Sequence, residues 1–212
     1  LAERILREQN YQIGTLWLLL LAWVSSTGES GAEFATQCLN RIRDWWHTIR
    51  PQPLSDDWAP VVVKILLQFP CAQAAEMAII LPDEAKTELV EGLLESGICA
   101  LQERIEQALE TAGQIENAKE RSKAYREVAE ALAQAGQMEK AQEAFQQALE
   151  AAGQIEDADE RSGAYRAVAE ALARAGQVEQ AQELFQQALE AAGRIEDANR
   201  RSEAYRAVAV AL

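Results

Sequence analysis

The chain has 212 residues, 49% of them hydrophobic and 25% charged, and its 34 acidic and 20 basic side chains give a formal net charge of −14. This surplus of negative charge repels phosphate backbones and anionic lipid headgroups, so nucleic acid and membrane surfaces are disfavoured as partners. The apolar run from Leu16 to Val24 is too short to cross a bilayer, which takes about 20 residues.

The three cysteines, Cys38, Cys71 and Cys99, stand 33 and 28 residues apart. That spacing is too wide for a metal-binding pair of the Cys-x-x-Cys type, and an odd number does not fit a framework of paired disulfides. We therefore expect three buried, reduced thiols, a soluble protein and a cytoplasmic location. Since the chain begins at Leu1 without a methionine and stops at Leu212 within a repeating unit, we also expect it to be part of a longer polypeptide.

Residues 1–81 are predicted to form an irregular helical region. Apolar residues recur there at helical spacing in four groups: Trp17, Leu20, Leu21 and Val24; Ala35, Leu39 and Ile42; Trp58, Val61, Val62 and Ile65; and Ala74, Ala78 and Leu81. Pro51 and Pro53, with acidic residues soon after them, predict a loop between two helical hairpins. Two interpretations remain open: degenerate copies of the hairpin found in the C-terminal half, acting as a cap on it, or a separate helical domain.

Residues 82–212 are predicted to form an array of helical hairpins with a period of 40 residues. Residues 117–156 and 157–196 agree at 31 of 40 positions, and residues 197–212 agree with 157–172 at 12 of 16. A fixed period in this range is typical of a solenoid, in which each unit buries its apolar sides against its neighbours.

Residues 82–116 are predicted to be a degenerate first copy of this unit. Pro82 and Asp83 are residues typical of a helix start. Ile105 lies 40 residues before Phe145, in phase with the later copies.

Each full unit predicts two helices, which we name helix A and helix B. In the second full copy, the apolar stripe of helix A lies between Asp157 and Ala175, and Gly176 is placed to end it in a left-handed conformation. Helix B begins at Val178 and ends at Gly193. The Asp157 side chain stands where it can cap the first free amides of helix A.

Eight positions of the unit fall at the spacings of a known pattern. In the second full copy they are Tyr165, Val168, Ala169, Leu172, Gly176, Ala181, Phe185 and Ala188; the first copy has Tyr125, Gly136 and Phe145 at the corresponding places, and Tyr205 opens the pattern again. The chain therefore resembles the tetratricopeptide repeat family, with the pattern W-x2-L-G-x2-Y-x3-G-x4-A-x3-F-x2-A. It departs from that family in its period, 40 residues instead of about 34, and in lacking the closing proline.

The resemblance implies an all-α, right-handed superhelix, or α-solenoid, of antiparallel helical hairpins. It also implies that helix A lines a concave groove and that ligands are contacted from positions one turn apart on that helix. In this chain those positions are Arg126 and Glu130, Arg166 and Glu170, and Arg206 and Val210. A different interpretation is equally open, because Arg and Glu four residues apart form an ordinary surface pair worth only about 0.2–0.5 kcal/mol.

Residues typical of catalysis or metal binding are sparse. His47 is the only histidine, and no paired carboxylate or cysteine recurs near it at metal-ligand spacing. The sequence contains neither of the common phosphate-binding glycine motifs and no G-x-S-x-G elbow. We therefore expect no enzyme activity, no metal and no cofactor.

The functional prediction is a non-catalytic module that binds a protein or peptide segment, or another domain of the same polypeptide, along the concave face. The resemblance extends to repeats found in bacterial scaffold proteins and C-terminal to STAND-type NTPases, so the alternative is the sensor or regulatory arm of a larger signalling ATPase. The stripe that includes Tyr205 and Val208 has no helix B after it within the chain, which predicts concentration-dependent self-association.

Overall fold

A computed structural model of the protein describes residues 29–49, 53–55, 58–97 and 99–211. Ten α-helices and one 3₁₀ helix make up the regular structure in these ranges, which contain no β-strand. The predicted all-α class is confirmed. The predicted stripe from Trp17 to Val24 lies outside the described residues. The described residues divide into two compact units, with the boundary between Gln114 and Ile115.

Five α-helices lie in the described part of the first unit. They are α1 (Glu29–Ile49), α2 (Ala59–Leu66), α3 (Cys71–Glu76), α4 (Asp83–Glu95) and α5 (Leu101–Gly113), with a 3₁₀ helix at Met77–Ile80 directly after α3. The predicted helix start is confirmed, since Pro82 occupies the N-cap position and Asp83 is the first residue of α4. Helices α4 and α5 pack against each other as a hairpin.

The apolar stripe predicted on α2 is confirmed for Val62 and Ile65, which are buried, and wrong for Trp58 and Val61. Trp58 and Val61 are 44% and 47% exposed. Ala59, Val63 and Leu66 are buried on this helix as well, at the spacing of one helix face. Trp58 precedes the helix as its N-cap residue, so it does not extend the buried face. With eight and six residues, α2 and α3 are also much shorter than the repeat helices described below.

Two of the three cysteines form a disulfide. Cys71 begins α3, Cys99 lies just before α5, and their Cα atoms are 6.3 Å apart. The prediction of three reduced thiols is therefore wrong for this pair, because the packing of α3 on α5 brings together residues whose spacing in sequence gave no sign of it. Cys38 on α1 is a buried free thiol, and burial raises its pKa.

The second unit contains the repeats as successive hairpins. The first full copy is α6 (Ala118–Gln134) and α7 (Met138–Gly153), the second is α8 (Ala158–Arg174) and α9 (Val178–Gly193), and α10 (Ala198–Ala211) follows. In each full copy helix A packs on its own helix B, the second hairpin packs on the first, and α10 packs on the second hairpin. This stacking is the solenoid arrangement that the sequence predicts. In the described residues of the chain, no helix is both long enough and apolar enough to cross a membrane.

The predicted helix ends are confirmed. The side chains of Asn117, Asp157 and Asp197 accept hydrogen bonds from backbone amides in the first turn of α6, α8 and α10, at 2.8–3.1 Å. Gly136 and Gly176 have φ angles of 74° and 82° at the turn between helix A and helix B, a conformation that L side chains rarely adopt.

The junction between copies is held by an arginine four residues after each cap. Arg121, Arg161 and Arg201 each donate from Nη1 to a backbone carbonyl oxygen of the preceding junction, that of Ile115, Ile155 or Ile195, at 2.6–2.8 Å. The three isoleucine side chains are buried there.

Within each full copy a buried serine joins helix A to helix B. Ser122 Oγ donates to the carbonyl oxygen of Ala148, and Ser162 Oγ to that of Ala188, both at 2.9 Å. Both serines are 2% exposed. The corresponding residue of α10, Ser202, is exposed.

Candidate functional site

A cleft of about 440 Å³ lies between the helices A of the two full copies. It is lined by Lys119, Glu120, Ser122, Lys123 and Arg126 from α6 and by Asp159, Glu160, Gly163, Ala164, Arg166, Ala167 and Val168 from α8. A smaller cleft of about 220 Å³ continues towards the C-terminal ends of the same helices, lined by Glu130, Ala133, Gln134, Ala171, Arg174 and Ala175. The two clefts lie on one face of successive repeats, which we call the groove face.

The predicted groove residues of the two full copies lie on or beside this face. Arg126 and Arg166 line the main cleft and Glu130 lines the smaller one. Arg126 Nη1 lies 2.7 Å from the Glu130 carboxylate, with the two side chains 19% and 23% exposed. Arg166 and Glu170 form the same pair one copy later. Both interpretations of these residues therefore fit the structure: they are ion pairs, and they border the groove.

The predicted groove residues of the last helix are more open. Arg206 and Val210 are both exposed on α10, and Val210 is 84% exposed. The groove assignment of all six residues stays a prediction. Of the predicted structural residues, Phe145 and Phe185 are buried, and Tyr205 is 41% exposed; Tyr125 and Tyr165 are half-buried.

Two ion pairs join α6 to α8, one near each end of the groove face. Lys119 Nζ lies 3.0 Å from the Glu160 carboxylate near the N-terminal ends, and Arg174 Nη2 lies 2.9 Å from the Glu130 carboxylate near the C-terminal ends. The hydrogen bond to Glu160 raises the pKa of Lys119. Sequence reasoning missed these pairs because their partners belong to different copies, 41 and 44 residues apart.

Differences between the copies gather on the groove face. Within the helices, α6 and α8 differ only at Lys119/Asp159, Lys123/Gly163, Glu127/Ala167 and Gln134/Arg174. At about 100° per residue, these four positions fall within an arc of about 80°. Seven of the eight residues line the two clefts. In helix A the two full copies thus agree where helices pack and differ where they face the groove.

The third helix A repeats this distribution. Over its length α10 differs from α8 at Asn199, Arg200, Glu203 and Val210, and these positions span an arc of about 100° on the same side of the helix. A comparison of the copies by their angle around the helix would therefore have identified Lys119, Lys123 and Gly163 from the sequence. The family pattern does not mark these positions.

His47 is exposed on α1, and no group of three or more His, Cys, Asp or Glu side chains is arranged to hold a metal ion among the residues that the structure describes. The side chains on the groove face are suited to hydrogen bonds and ion pairs with a partner.

Comparison with known families decides the nature of the two full copies. A family model of the tetratricopeptide repeat matches residues 120–194, from the first turn of α6 to the residue after α9. This segment is tetratricopeptide-like. The match covers about a third of the chain. Neither the curated proteins nor the solved structures gave a match. Tetratricopeptide repeats are non-catalytic scaffolds that generally mediate protein–protein interaction.

Proposed function

We propose that the chain binds a protein or peptide segment along the groove face of its tetratricopeptide-like repeats. The observation that carries this proposal is the restriction of helix A differences to that face. Residues of helix A that pack against other helices must fill the same space in every copy, whereas residues that face the groove need not. Different side chains on successive layers give such a face the means to distinguish one partner from another.

The mechanism is recognition by a preformed surface. Arg126 and Arg166 are held by carboxylates one turn further along their helices, so little side-chain freedom is lost when a partner binds. The two ion pairs between α6 and α8 fix the spacing of the layers. The segment bound belongs to another protein or to another region of the same polypeptide.

The test is a selection of short random peptides, displayed on phage, against the immobilised chain, followed by affinity measurements with the enriched peptides. Binding should fall in the variant Arg126→Ala/Arg166→Ala. It should be unchanged in Lys140→Ala/Arg194→Ala, which removes the same two charges from exposed positions off the groove face. The proposal fails if no peptide is enriched, or if the groove variant binds the enriched peptides as well as the wild-type chain.

We also propose that a second copy of the chain associates through the outer face of α10. Ala169 on α8 is fully buried, whereas the corresponding Ala209 on α10 is exposed, beside Tyr205 at 41% exposure. Sedimentation velocity should show concentration-dependent association, and Ala209→Glu should abolish it. Ala207→Glu is the matched control, since Glu127 occupies the same position in the first full copy. A strict monomer at high concentration would refute this proposal.

A further inference from the structure

Another cleft, of about 240 Å³, opens between the helices B of the two full copies. Its floor is apolar and consists of Phe145 and Leu149 of α7, Leu172 of α8 and Leu184 of α9. It is separate from the groove face, whose lining residues do not come from either helix B. Small-molecule and cofactor sites occupy roughly 300–1,000 Å³. This cleft is smaller, and its size suits a single side chain of a partner.

The floor offers little surface to an apolar side chain. Phe145, Leu172 and Leu184 are only 2–3% exposed. An aliphatic or aromatic group placed over them would therefore remove little apolar area from water, and its binding depends on that area. An occupant of this cleft must gain most of its binding free energy from the walls.

The walls consist of four glutamine side chains and one carboxylate. All five are exposed: Gln142 and Gln146 on α7, and Gln180, Glu183 and Gln187 on α9. Each glutamine has an oxygen that accepts hydrogen bonds, and Gln146 uses only its Nε2 group, which donates to Glu150 at 3.4 Å. Glu183 has no hydrogen bond or ion pair with any residue that the structure describes. The walls therefore present several hydrogen-bond acceptors and one unpaired negative charge.

The helices on either side of this cleft carry a surplus of negative charge. Together α7 and α9 contain six glutamates and one basic residue, Lys140. None of the six glutamates forms an ion pair within the described part of the chain. On the groove face, by contrast, Glu130, Glu160 and Glu170 are all paired with basic side chains. A cationic partner is therefore attracted more strongly to the helix B side.

The two copies of helix B differ mainly at this cleft. They differ at three positions, and at two of these the residue of α9 lines the cleft: Gln180 stands where the first copy has Lys140, and Leu184 where it has Ala144. A lysine at position 180 would add a positive charge to the wall. The sequence thus has a neutral hydrogen-bonding side chain at the point where a basic one would repel a cation.

We propose that the cleft between α7 and α9 binds an arginine side chain of a basic partner protein. The methylene groups of the arginine lie over the apolar floor, and its guanidinium group donates to the glutamine oxygens and pairs with Glu183. Arginine has five N–H donors in a planar fork, whereas lysine has three on a compact, strongly hydrated ammonium group. Arginine is therefore the basic residue that fits a ring of amide oxygens.

The probe for the test is a rhodamine-labelled tri-arginine peptide with an amidated C-terminus, and its affinity for the full chain is measured by fluorescence anisotropy at low salt. We expect a tri-lysine peptide of the same design to bind about threefold more weakly or worse. A tri-citrulline peptide, which keeps the shape of arginine without its charge, should not bind.

Two pairs of variants locate the peptide. Glu183→Gln should weaken tri-arginine binding about three- to fivefold, the effect of losing one partly exposed ion pair. Glu143→Gln is its matched control, because it removes the same charge from the corresponding position of α7, which does not line the cleft.

The second pair adds a charge. Gln180→Lys should weaken binding by about tenfold or more, because like charges at close range are strongly unfavourable. Gln182→Lys makes the same change at an exposed position of α9 outside the cleft and should have a smaller effect. Circular dichroism would verify that all four variants fold.

Three results would overturn the proposal. One is the absence of tri-arginine binding at low salt. Another is equal affinity for tri-arginine and tri-lysine, or equal effects of the cleft variants and their controls, since the peptide would then respond only to the acidic surface. The third is a loss of binding in Asp159→Asn but not in Glu183→Gln, which would place the peptide on the groove face.

Discussion

The hydroxyl oxygen of Tyr165 lies 3.3 Å from the point that a β-carbon would occupy on Gly153, the last residue of α7. The contact recurs one copy later between Tyr205 and Gly193, at 3.1 Å. Neither glycine has a positive φ, so backbone conformation does not require it. These glycines allow the tyrosine of the next helix A to approach the end of helix B, which couples one copy to the next.

We predict that Gly153→Ala does not yield the gain of about 1 kcal/mol that glycine-to-alanine replacement in a helix otherwise gives, because the new methyl group displaces the Tyr165 hydroxyl. The double variant with Tyr165→Phe should recover that gain. The stabilities of both variants can be measured by urea unfolding, followed by circular dichroism at about 222 nm, which reports on helical content. Tyr165→Phe alone is the control that completes the double-mutant cycle. Additive effects would show that the hydroxyl and the glycine are not coupled.

The repeat helices and their ends were predictable from the sequence because their signals are local. Helical spacing, an N-cap oxygen at Asp157 and a left-handed glycine at Gly176 each act within a few residues. The disulfide between Cys71 and Cys99 and the ion pair between Lys119 and Glu160 were not predictable. Such contacts depend on how distant helices pack, which no local pattern encodes.

The candidate site shows the same division. Arg126 and Arg166 could be named from a family pattern, because their positions are fixed relative to Tyr125 and Tyr165. Gly163 could not be named in this way, since its place in the cleft depends on how α6 and α8 pack. A helix-interior glycine has many structural explanations, and only the absence of atoms around it removes the packing ones.

We predict that Ser122→Ala and Ser162→Ala each lower the free energy of unfolding by about 1 kcal/mol, the contribution of one buried hydrogen bond. Each hydroxyl joins helix A to a carbonyl oxygen of helix B in the same copy. Ser202→Ala is the matched control, because this exposed serine occupies the corresponding position of α10 but has no helix B after it in the described part of the chain. Its change should stay within about 0.5 kcal/mol. Equal losses at all three serines would point to helix propensity as the cause.

The disulfide predicts a defined thiol count. Denatured but unreduced protein should have one reactive thiol, that of Cys38, and reduced protein should have three. In the native state Cys38 should react slowly, because it is buried and its pKa is raised. Alkylation followed by mass spectrometry measures the counts. Three thiols without reduction, in protein prepared under air, would contradict the bond.

Removing the disulfide should destabilise the first unit alone. The bond closes a loop with a sequence separation of 28, so the double variant Cys71→Ala/Cys99→Ala should lose about 3–4 kcal/mol by the loop-entropy relation. All five tryptophans precede residue 115, so tryptophan fluorescence reports on the first unit. Loss of the helical signal of the second unit at the same urea concentration would show that the two units unfold together.

The cap at Asp157 predicts a pH dependence of stability. The hydrogen bond from the Glu160 amide, followed by that from the Asp159 amide, lowers the pKa of this carboxyl group. Because this pKa is lower in the folded state, the ionised carboxylate stabilises the fold at pH values above its unfolded pKa of about 3.9. The stabilisation is lost as the pH falls through the folded pKa. Asp157→Asn should keep the cap without this titration, since Asn117 accepts the same two hydrogen bonds in the first full copy.

Thermal unfolding of wild type and Asp157→Asn at neutral pH and below about pH 3.9 measures this effect. At neutral pH the wild type should be at least as stable as the variant, and on acidification its stability should fall relative to the variant. The other carboxyl groups titrate in both proteins, so their effects cancel in the difference. Curves that stay parallel down to the lowest pH would mean that the Asp157 carboxylate has the same pKa in the folded and unfolded chain.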